Sequence, residues 1–320
     1  MRIIFFGSSA FSVPFLKFFY NTNHKIEAVV TNIDRVTGRG KKLRPNPVKV
    51  AASEFGIQVF EIEKINDEIY KKISAINFDI FVIVSFGHII PKSLIELSND
   101  LCINLHPSLL PKYRGPSPIN SVLLNGDSET GVSIMKINEF LDSGDVYAQA
   151  KFKISKYDNK DMLEEKMIKI GAPLLGGVID LIELGLIEPY PQEGIPTYTN
   201  LFKKEDLKIT WTSSADEIVN KIRAFSSEPG AYAMFRGLRI KILSALKYDY
   251  SINYEPDIAS RIKNSSPGEV LKADKELGLI VKCGENETIK IQELRIEGKK
   301  TISFVDFLNG YKVKVGDLFQ

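Results

Sequence analysis

The sequence predicts an α/β protein of two domains, a mostly parallel sheet followed by a small all-β domain. Three observations predict it. In the first half of the chain, near-continuous apolar strands alternate with helices, which is typical of a parallel sheet covered on both faces. A polar, proline-bearing stretch follows at 188–196. Beyond it come short apolar runs separated by turns, a spacing that indicates a small barrel or sandwich.

The first domain is predicted to cover 1–188, with its elements read from the apolar runs. A helix is expected at 11–20, where Pro14 falls in the first turn and is tolerated. A long helix is expected to close the domain at 160–186. The expected strands are 2–6, 25–31, 78–84 and 101–106, followed by two antiparallel ones at 131–137 and 146–154.

A linker is predicted at 189–207 and a second domain at 208–320. The second domain is expected to begin with a helix at 214–225, because Ser214 and Glu217 have the spacing of a capping box. Its short strands are expected at 238–246, 268–273, 278–283 and 288–296.

Composition indicates a soluble globular protein. Of the 320 residues, 44% are hydrophobic and 26% are charged. The net charge of +2 is too small to mark the whole chain as a nucleic-acid binder, so any such role needs a local patch. Cys102 and Cys283 suggest neither a disulfide framework nor a zinc site. No apolar run has the length of a membrane span, and the chain opens directly on a strand. We therefore expect a cytoplasmic protein with no membrane partner and no signal segment.

The stretch "INLHPSLLPKYRGPSP" at 103–118 carries the candidate chemistry. Asn104 and His106 are two residues apart and therefore share one side of a strand. Asp142 follows in the turn Leu-Asp-Ser-Gly-Asp at 141–145. An amide, an imidazole and a carboxylate suit a reaction through a tetrahedral oxyanion. No Gly-x-Ser-x-Gly elbow is present, so direct attack by an external nucleophile fits better than a covalent intermediate. From spacing alone, a structural role for Asn104 and His106 stays open.

The ordered motifs Asn-x-His-x-Ser-Leu-Leu-Pro from 104, Gly-x-x-Pro from 115 and Leu-Asp-x-Gly from 141 resemble the signature of the folate-dependent formyltransferases. The resemblance implies a Rossmann-like catalytic domain and transfer of a formyl group from 10-formyltetrahydrofolate to an amine. It implies that Asn104 and His106 stabilise the oxyanion and that Asp142 helps to return a proton to the leaving folate. No metal is expected. The folate site is expected to be walled by Ser108, Leu109, Leu110 and Pro111 and by Phe86, Gly87 and Ile89.

A basic loop at 34–49 suggests which amine is the acceptor. Six cations with two glycines and two prolines are suited to tracking phosphates. The loop resembles the insertion of the family branch that formylates the methionine on initiator tRNA, and the tRNA contacts it implies are Arg35, Arg39, Lys41 and Lys42. The segment "ITWTSSADEIVNKIRAFSSEPGAYAMF" resembles the start of that branch's C-terminal domain, which implies an OB-like β-barrel that contacts tRNA. A monomer is expected.

Three alternative functions have less support in the sequence. A nicotinamide oxidoreductase requires a full Gly-x-Gly-x-x-Gly, but the first turn has only Gly7. A noncatalytic tRNA-binding protein is disfavoured by the intact catalytic set. An aminosugar-nucleotide N-formyltransferase of the same family is the nearest competitor, and the basic loop argues against it.

Ser8 and Ser9 depart from the family's usual threonine-proline pair, and Phe86 stands where many members have tyrosine. His24 and His88 are interpreted as structural or surface residues.

Overall fold

The computed structural model describes residues 1–37, 42–252 and 256–320. Its first nine strands lie before residue 154. They are β1 (Arg2–Gly7), β2 (Lys25–Asn32), β3 (Arg35–Thr37), β4 (Lys42–Arg44), β5 (Gln58–Ile62), β6 (Ile80–Val84), β7 (Cys102–His106), β8 (Glu129–Lys136) and β9 (Val146–Lys153). Strands β3 and β4 form a separate hairpin, and the other seven form one sheet in the order β5-β2-β1-β6-β7-β8-β9.

The seven-stranded sheet is mostly parallel. Strand β1 pairs in parallel with β2 and β6, β2 with β5, and β6 with β7. Strands β8 and β9 run antiparallel. The predicted mixed sheet is thus confirmed. Because β1, β6 and β7 are parallel, the loops that follow them leave the same edge of the sheet, where ligands bind in open α/β sheets.

Helices cover both faces of this sheet, as the near-continuous apolar strands predicted. Ile3 and Phe5 belong to one core cluster, whereas Ile4 and Phe6 belong to another, which follows from the period of two along a strand. The helices before residue 184 are α1 (Val13–Tyr20), α2 (Pro47–Glu54), α3 (Asp67–Ser74), α4 (Lys92–Leu97), α5 (Pro118–Leu124) and α6 (Lys160–Glu183).

Two predicted helices begin or end at different residues from those expected. The helix predicted at 11–20 opens as a 3₁₀ turn, Ala10–Ser12, before α1. The helix predicted at 160–186 ends at Glu183. Gly185 then has φ +65°, the left-handed conformation that commonly terminates a helix.

The second half of the chain folds around an all-antiparallel sheet. Its strands are β10 (Ala231–Phe235), β11 (Leu238–Tyr248), β12 (Val270–Asp274), β13 (Gly278–Lys282), β14 (Thr288–Ile296) and β15 (Thr301–Ser303), with helices α7 (Ala215–Phe225), α8 (Pro256–Arg261) and α9 (Phe304–Tyr311). The predicted capping box at the start of α7 is present. Two strands, β10 and β15, were not predicted.

The ladders of this sheet run in the order β10-β11-β14-β13-β12, with β15 on β14. No ladder joins the described strands β10 and β12, so the strand ladders do not form the closed barrel that was expected. The last residues of the chain bond to both edges instead. Gln320 exchanges two backbone hydrogen bonds with Met234 (2.6 and 2.7 Å), and Phe319 donates one to Gly268 (2.9 Å).

The chain divides into two compact units. The first contains Met1–Pro118, Glu129–Lys153 and Glu164–Asn200, and the second contains Ile119–Ser128, Ile154–Leu163 and Leu201–Gln320. Most of the polar stretch predicted as a linker therefore belongs to the first unit. Among the helices in the described ranges, none has both the length and the apolarity needed to cross a membrane.

Candidate active site

His106 is the last residue of β7, and its imidazole is buried, with 4% of the residue surface exposed. Nε2 lies 2.9 Å from the carbonyl oxygen of Tyr113. A carbonyl oxygen can only accept a hydrogen bond, so Nε2 carries the hydrogen and Nδ1 has none in the neutral ring. Nδ1 faces Asp142, at 3.7 Å from Oδ2. The backbone thus orients the ring with its proton-accepting nitrogen toward the carboxylate.

Asp142 lies in the loop between β8 and β9 with φ +45°, a left-handed conformation that aspartate tolerates better than most residues. Its Oδ2 accepts a hydrogen bond of 2.7 Å from the backbone N–H of Gly115. Two residues on, a Cβ at Gly144 would lie 1.8 Å from the carbonyl oxygen of Lys136, so only glycine lets the loop return this closely. The loop therefore holds the carboxylate in one place.

Asn104 precedes His106 by two residues in β7 and projects from the same side of the strand. The side chain is half-buried, and its amide has no hydrogen-bond partner within residues 1–37, 42–252 and 256–320. The amide N–H groups are thus available to a ligand. The structure brings together the imidazole and carboxylate that the sequence suggested and leaves a free amide donor beside them on the same strand.

The residues expected to cover the folate differ in their accessibility. Phe86 is 3% exposed, and its ring packs edge-on against Phe6 with centroids 5.2 Å apart. It belongs to the core beneath the site, so the expected wall does not include its side chain. Gly87 turns the chain with φ +81°, and Ile89 is 82% exposed. Of these three, Ile89 is the one whose side chain a ligand can contact.

The Ser108–Pro111 turn, expected to offer backbone groups to the pterin, is largely bonded within the fold. The Ser108 hydroxyl donates to the carbonyl of Lys112 (2.6 Å). The Leu110 N–H donates to the Ser133 hydroxyl (3.1 Å), and the Leu110 carbonyl accepts from Gln149 Nε2 (2.9 Å). Leu110 and Pro111 are buried and Leu109 is half-buried. The Leu110 N–H and carbonyl thus already have partners in the fold, and the binding of a pterin by this turn stays a prediction.

The basic loop contains the hairpin of β3 and β4. Arg35 lies opposite Arg44 in the register, and both side chains are exposed. Neither has a carboxylate partner among the described residues. Like charges placed directly opposite each other are destabilising unless an anion lies between them. Lys42 is in β4. The predicted contacts Arg39 and Lys41 lie outside the described residues.

Lys49, counted among the six cations of this loop, is not available for phosphate. Its Nζ lies 3.0 Å from Asp34 and 3.0 Å from Glu61. The hydrogen bonds that Lys49 donates, first the one to Glu61 and then the one to Asp34, raise the pKa of the lysine. The loop itself contains Asp34, whereas Glu61 lies in β5 and was not recognised from the sequence as a partner of Lys49. Lys49 therefore joins α2 to the sheet.

Neither of the remaining histidines is beside His106. His24 precedes β2, at the amino end of the sheet, and lies 3.2 Å from Asp180. Together with Glu183 they are the one group in the described part of the chain close enough to share a metal ion. His88 follows β6 and contacts Asn32 Oδ1 at 2.5 Å. Burial lowers the pKa of both imidazoles.

The sequence did not predict that the proline-bearing stretch contacts the loops that contain Arg114 and Asp142. Gln192 Nε2 donates to the carbonyls of Asp142 (2.9 Å) and Gly144 (2.8 Å). Its Oε1 accepts from Arg114. The one sequence signal was the density of prolines, since proline-rich stretches are stiffer than ordinary linkers.

Comparison with known proteins identifies the class to which this fold and site belong. Residues 1–179 match the family described as formyl transferase, and residues 201–312 match the formyl transferase C-terminal domain. A sugar 3N-formyl transferase, WlaRD, whose crystal structure was determined in the presence of dTDP and 5-N-formyl-THF, has the same fold. Its TM-score is 0.64 at 23% identity, covering 94% of this chain and 99% of that one. Fold and site together define a formyl transferase.

Relatives that match over the full length of the chain identify the family within this class. A methionyl-tRNA formyltransferase from Sulfurihydrogenibium sp. (strain YO3AOP1) is 39% identical over 323 residues and is aligned over 100% of both chains. One from Dictyoglomus turgidum (strain DSM 6724 / Z-1310) is 40% identical over 323 residues, covering 100% of this chain and 99% of the relative. The chain belongs to the methionyl-tRNA formyltransferase family.

Proposed function

We propose that this chain, a formyltransferase acting on methionyl-tRNA, works by direct attack of the methionyl amine on the formyl carbon through a tetrahedral oxyanion. The observation that carries this mechanism is the arrangement around His106, where a fixed tautomer faces Asp142 and a free Asn104 amide lies on the same strand face. The reaction needs a hydrogen-bond donor for the oxygen that becomes negative and a base for the proton that the amine loses. These groups supply both.

Each of the three side chains has a separate task in this proposal. The Asn104 amide donates to the oxygen that becomes negative. His106, once protonated at Nδ1, is an imidazolium paired with Asp142 and stabilises the same negative charge. The Asp142 carboxylate, held by the Gly115 N–H, keeps that imidazolium charged and passes the proton from the attacking amine to the leaving nitrogen.

We assign the formyl donor as a folate. The co-substrate, 10-formyltetrahydrofolate, supplies the formyl group when it is bound. The residues fit such a ligand because apolar side chains stand unusually exposed in the loops beside the catalytic groups: Ile89 is 82% exposed, Phe140 74% and Leu141 55%. Exposed apolar side chains grouped around polar groups are typical of a ligand site. The other proposed folate-binding residues are in the loops that follow β6 and β7: Ser108, Leu109, Leu110, Pro111, Phe86 and Gly87.

Initiator methionyl-tRNA is the acceptor that we propose. Two exposed arginines without carboxylate partners, Arg35 and Arg44, face each other in the hairpin and are suited to a phosphodiester between them. Arg39, Lys41 and Lys42 belong to the same loop. An aminosugar nucleotide has less support, because the sugar transferase shares the fold at 23% identity whereas relatives named for tRNA reach 40% over the full length.

Residues 208–320, the predicted second domain, are proposed as an OB-like tRNA-binding domain. Support comes from the outer face of its sheet. Tyr232, Lys241 and Arg295 lie side by side on neighbouring strands, and the guanidinium of Arg239 stacks on the Tyr232 ring at 3.6 Å. Glu228 contacts both Lys241 and Arg295 and neutralises only one of their two charges, so with Arg239 the face keeps a net positive charge beside the Tyr232 ring. Such a face suits a nucleic acid.

Residues 1–188 are the proposed catalytic domain, and the chain is proposed to act as a monomer in the cytoplasm, where its tRNA substrate is used.

The proposed acceptor is tested by formylation with the purified protein and three acceptors: methionylated initiator tRNA, methionylated elongator tRNA and a dTDP-aminosugar. Formylation confined to the initiator tRNA supports the assignment. Preferential formylation of the aminosugar would overturn it.

A further inference from the structure

The proline-bearing stretch contains a strap, defined as residues 190–199, that lies along the catalytic loops of the first unit. It begins with an isolated antiparallel bridge to β9, where Tyr190 exchanges two backbone hydrogen bonds with Val146 (2.8 and 2.9 Å). It ends beside Arg114, whose N–H donates to Thr197 (2.8 Å) and whose carbonyl accepts from Thr199 (2.7 Å). Both ends are therefore bonded to the catalytic domain.

Gln192 forms the centre of the strap through four hydrogen bonds. Its Nε2 donates to the carbonyls of Asp142 (2.9 Å) and Gly144 (2.8 Å), one on each side of the turn that carries the Asp142 carboxylate. Its Oε1 accepts from Arg114 Nε (3.2 Å) and Nη2 (2.8 Å). Both amide hydrogens and both lone pairs of the carbonyl oxygen are thus used.

A glutamine is the side chain that this position requires. A side-chain amide combines two donors with an oxygen that accepts twice, and asparagine is shorter by one methylene. Glutamate would accept from Arg114 but has nothing to donate to the two carbonyls at neutral pH. Methionine has a similar length and offers neither group.

The strap acts on both catalytic side chains through the 113–117 loop. Tyr113, whose carbonyl fixes His106 Nε2, donates its own N–H to the Thr197 hydroxyl (2.8 Å). Gly115, whose N–H holds Asp142, packs so closely on the strap that a Cβ would lie 2.7 Å from the Thr199 carbonyl oxygen. Displacement of the strap therefore moves the partners of both groups.

We propose that Gln192 is a positioning residue for formyl transfer: it clamps the Asp142 turn against Arg114 and so sets the distance between the Asp142 carboxylate and His106 Nδ1. The inference rests on the proposed roles of His106 and Asp142. Gln192 touches no reacting atom, so its removal affects the turnover step and leaves substrate binding nearly unchanged. Misplacement of a catalytic group by about 1 Å costs roughly 100-fold in rate.

Two variants separate positioning of the Asp142 turn from anchoring of the strap. Gln192→Met removes all four hydrogen bonds. Gln192→Glu keeps the acceptor for Arg114 as an ion pair, loses the two donors and places a carboxylate oxygen against the carbonyls of Asp142 and Gly144. Both are expected to lower kcat for methionyl-tRNA by about 10- to 100-fold, with KM changed less than about threefold. The melting temperature of Gln192→Glu should stay near that of the wild type because Arg114 still anchors the strap.

Active sites counted by equilibrium folate binding add a readout that a purely structural role would not change. The turnover per folate-binding site should fall in both variants, whereas partial unfolding would lower the number of sites and leave the turnover per site unchanged. Glu193→Gln, at the exposed neighbouring residue of the strap, is the matched control and should retain wild-type kcat.

Asp142→Ala, assayed in parallel, separates the two proposals. If Asp142→Ala is inactive while Gln192→Glu has wild-type kcat per folate-binding site, the clamp is wrong and the mechanism stands. If Gln192→Met is slow but Gln192→Glu is normal, the residue serves only as an anchor for Arg114, which also overturns the proposal. Wild-type turnover by Asp142→Ala would instead overturn the proposed mechanism itself.

Discussion

Polar side chains at the two ends of the seven-stranded sheet differ in whether they are paired with one another. At the amino end, charges are paired with each other: Asp79 accepts from both the backbone N–H (2.6 Å) and the guanidinium Nε (3.1 Å) of Arg2. His24 Nε2 lies 3.2 Å from the Asp180 carboxylate there as well. At the carboxyl end, the Asn104 amide is without a partner in the described chain, and His106 and Asp142 face each other at 3.7 Å without a full hydrogen bond.

This difference distinguishes stabilising polar groups from reactive ones. A paired charge already contributes its interaction energy to the stability of the fold. An amide without a partner in a half-buried position can instead form its hydrogen bond with a ligand. Substitutions at the amino end should therefore change stability and spare the reaction. Substitutions at the carboxyl end should do the reverse, as removal of a preorganised group costs rate more than folding free energy.

The largest effect is expected from His106→Ala. Loss of the imidazole should lower formyl transfer by about 10²–10³-fold, because one preorganised group at the developing oxyanion typically contributes that much. Asp142→Ala should lose most of its activity for the same reason, and folate affinity should remain nearly intact in both. Single-turnover formylation together with equilibrium folate binding measures this. His24→Ala is the matched control from the amino end, and equal losses of turnover in the two histidine variants would contradict the contrast.

Asn104→Ala should give a smaller loss, roughly 10- to 100-fold in kcat, because a water molecule can replace part of the amide's donation. Asn104→Asp is the sharper test, since it keeps the shape of the side chain but places a negative charge where an oxyanion develops. It should be slower than the alanine variant. An aspartate variant as active as the wild type would rule out the donor role.

A moderate effect is expected in the hairpin beside the same end of the sheet. The Arg35→Ala and Arg44→Ala double variant should weaken formylation of tRNA and barely change folate binding. Each lost phosphate contact should reduce the salt dependence of tRNA binding by roughly one unit of slope. Arg39→Ala should act in the same direction, and Arg39→Lys nearly as strongly, because lysine lacks the planar guanidinium.

Lys49→Gln is the control for this charge series. Its ammonium is already paired with Asp34 and Glu61, so its loss should leave the salt slope unchanged. Binding measured by filter retention at several salt concentrations distinguishes the variants. If Lys49→Gln lowered the slope as much as the arginine variants, the loop would act through its total charge and not through the hairpin.

The smallest effect is expected from Asp79→Asn at the amino end. The hydrogen bond from the Arg2 side chain holds the pKa of Asp79 at about 2, below its usual 3.8. A carboxyl group whose pKa is lowered in the folded state stabilises the protein above the unfolded pKa, and that stabilisation is lost as the pH falls toward the folded value. The variant should therefore be less stable by about 0.5–1 kcal/mol at neutral pH. The deficit should vanish between pH 4 and pH 2 while kcat at neutral pH stays unchanged, as urea unfolding and a formylation assay would show.

The sequence by itself predicted four of the five parallel strands, the order of the two domains and the proposed catalytic trio, and it missed β5 at the edge of the sheet. These features depend on local patterns: an unbroken apolar run predicts a doubly covered strand, and residues two apart in β7 share a face whatever the rest of the chain does. Family motifs then supplied the chemistry for Asn104, His106 and Asp142.

Only the tertiary structure decided which groups hold that trio. Gln192 is 50 residues from Asp142 in sequence, and no pattern within a stretch of prolines shows which carbonyls a side chain contacts. Lys49 looked like a free cation until the fold brought Glu61 beside it. Likewise Phe86 belongs to the core because Phe6 packs against it. Partners distant in sequence are chosen by how loops close around the sheet, and a one-dimensional periodicity contains no record of that closure.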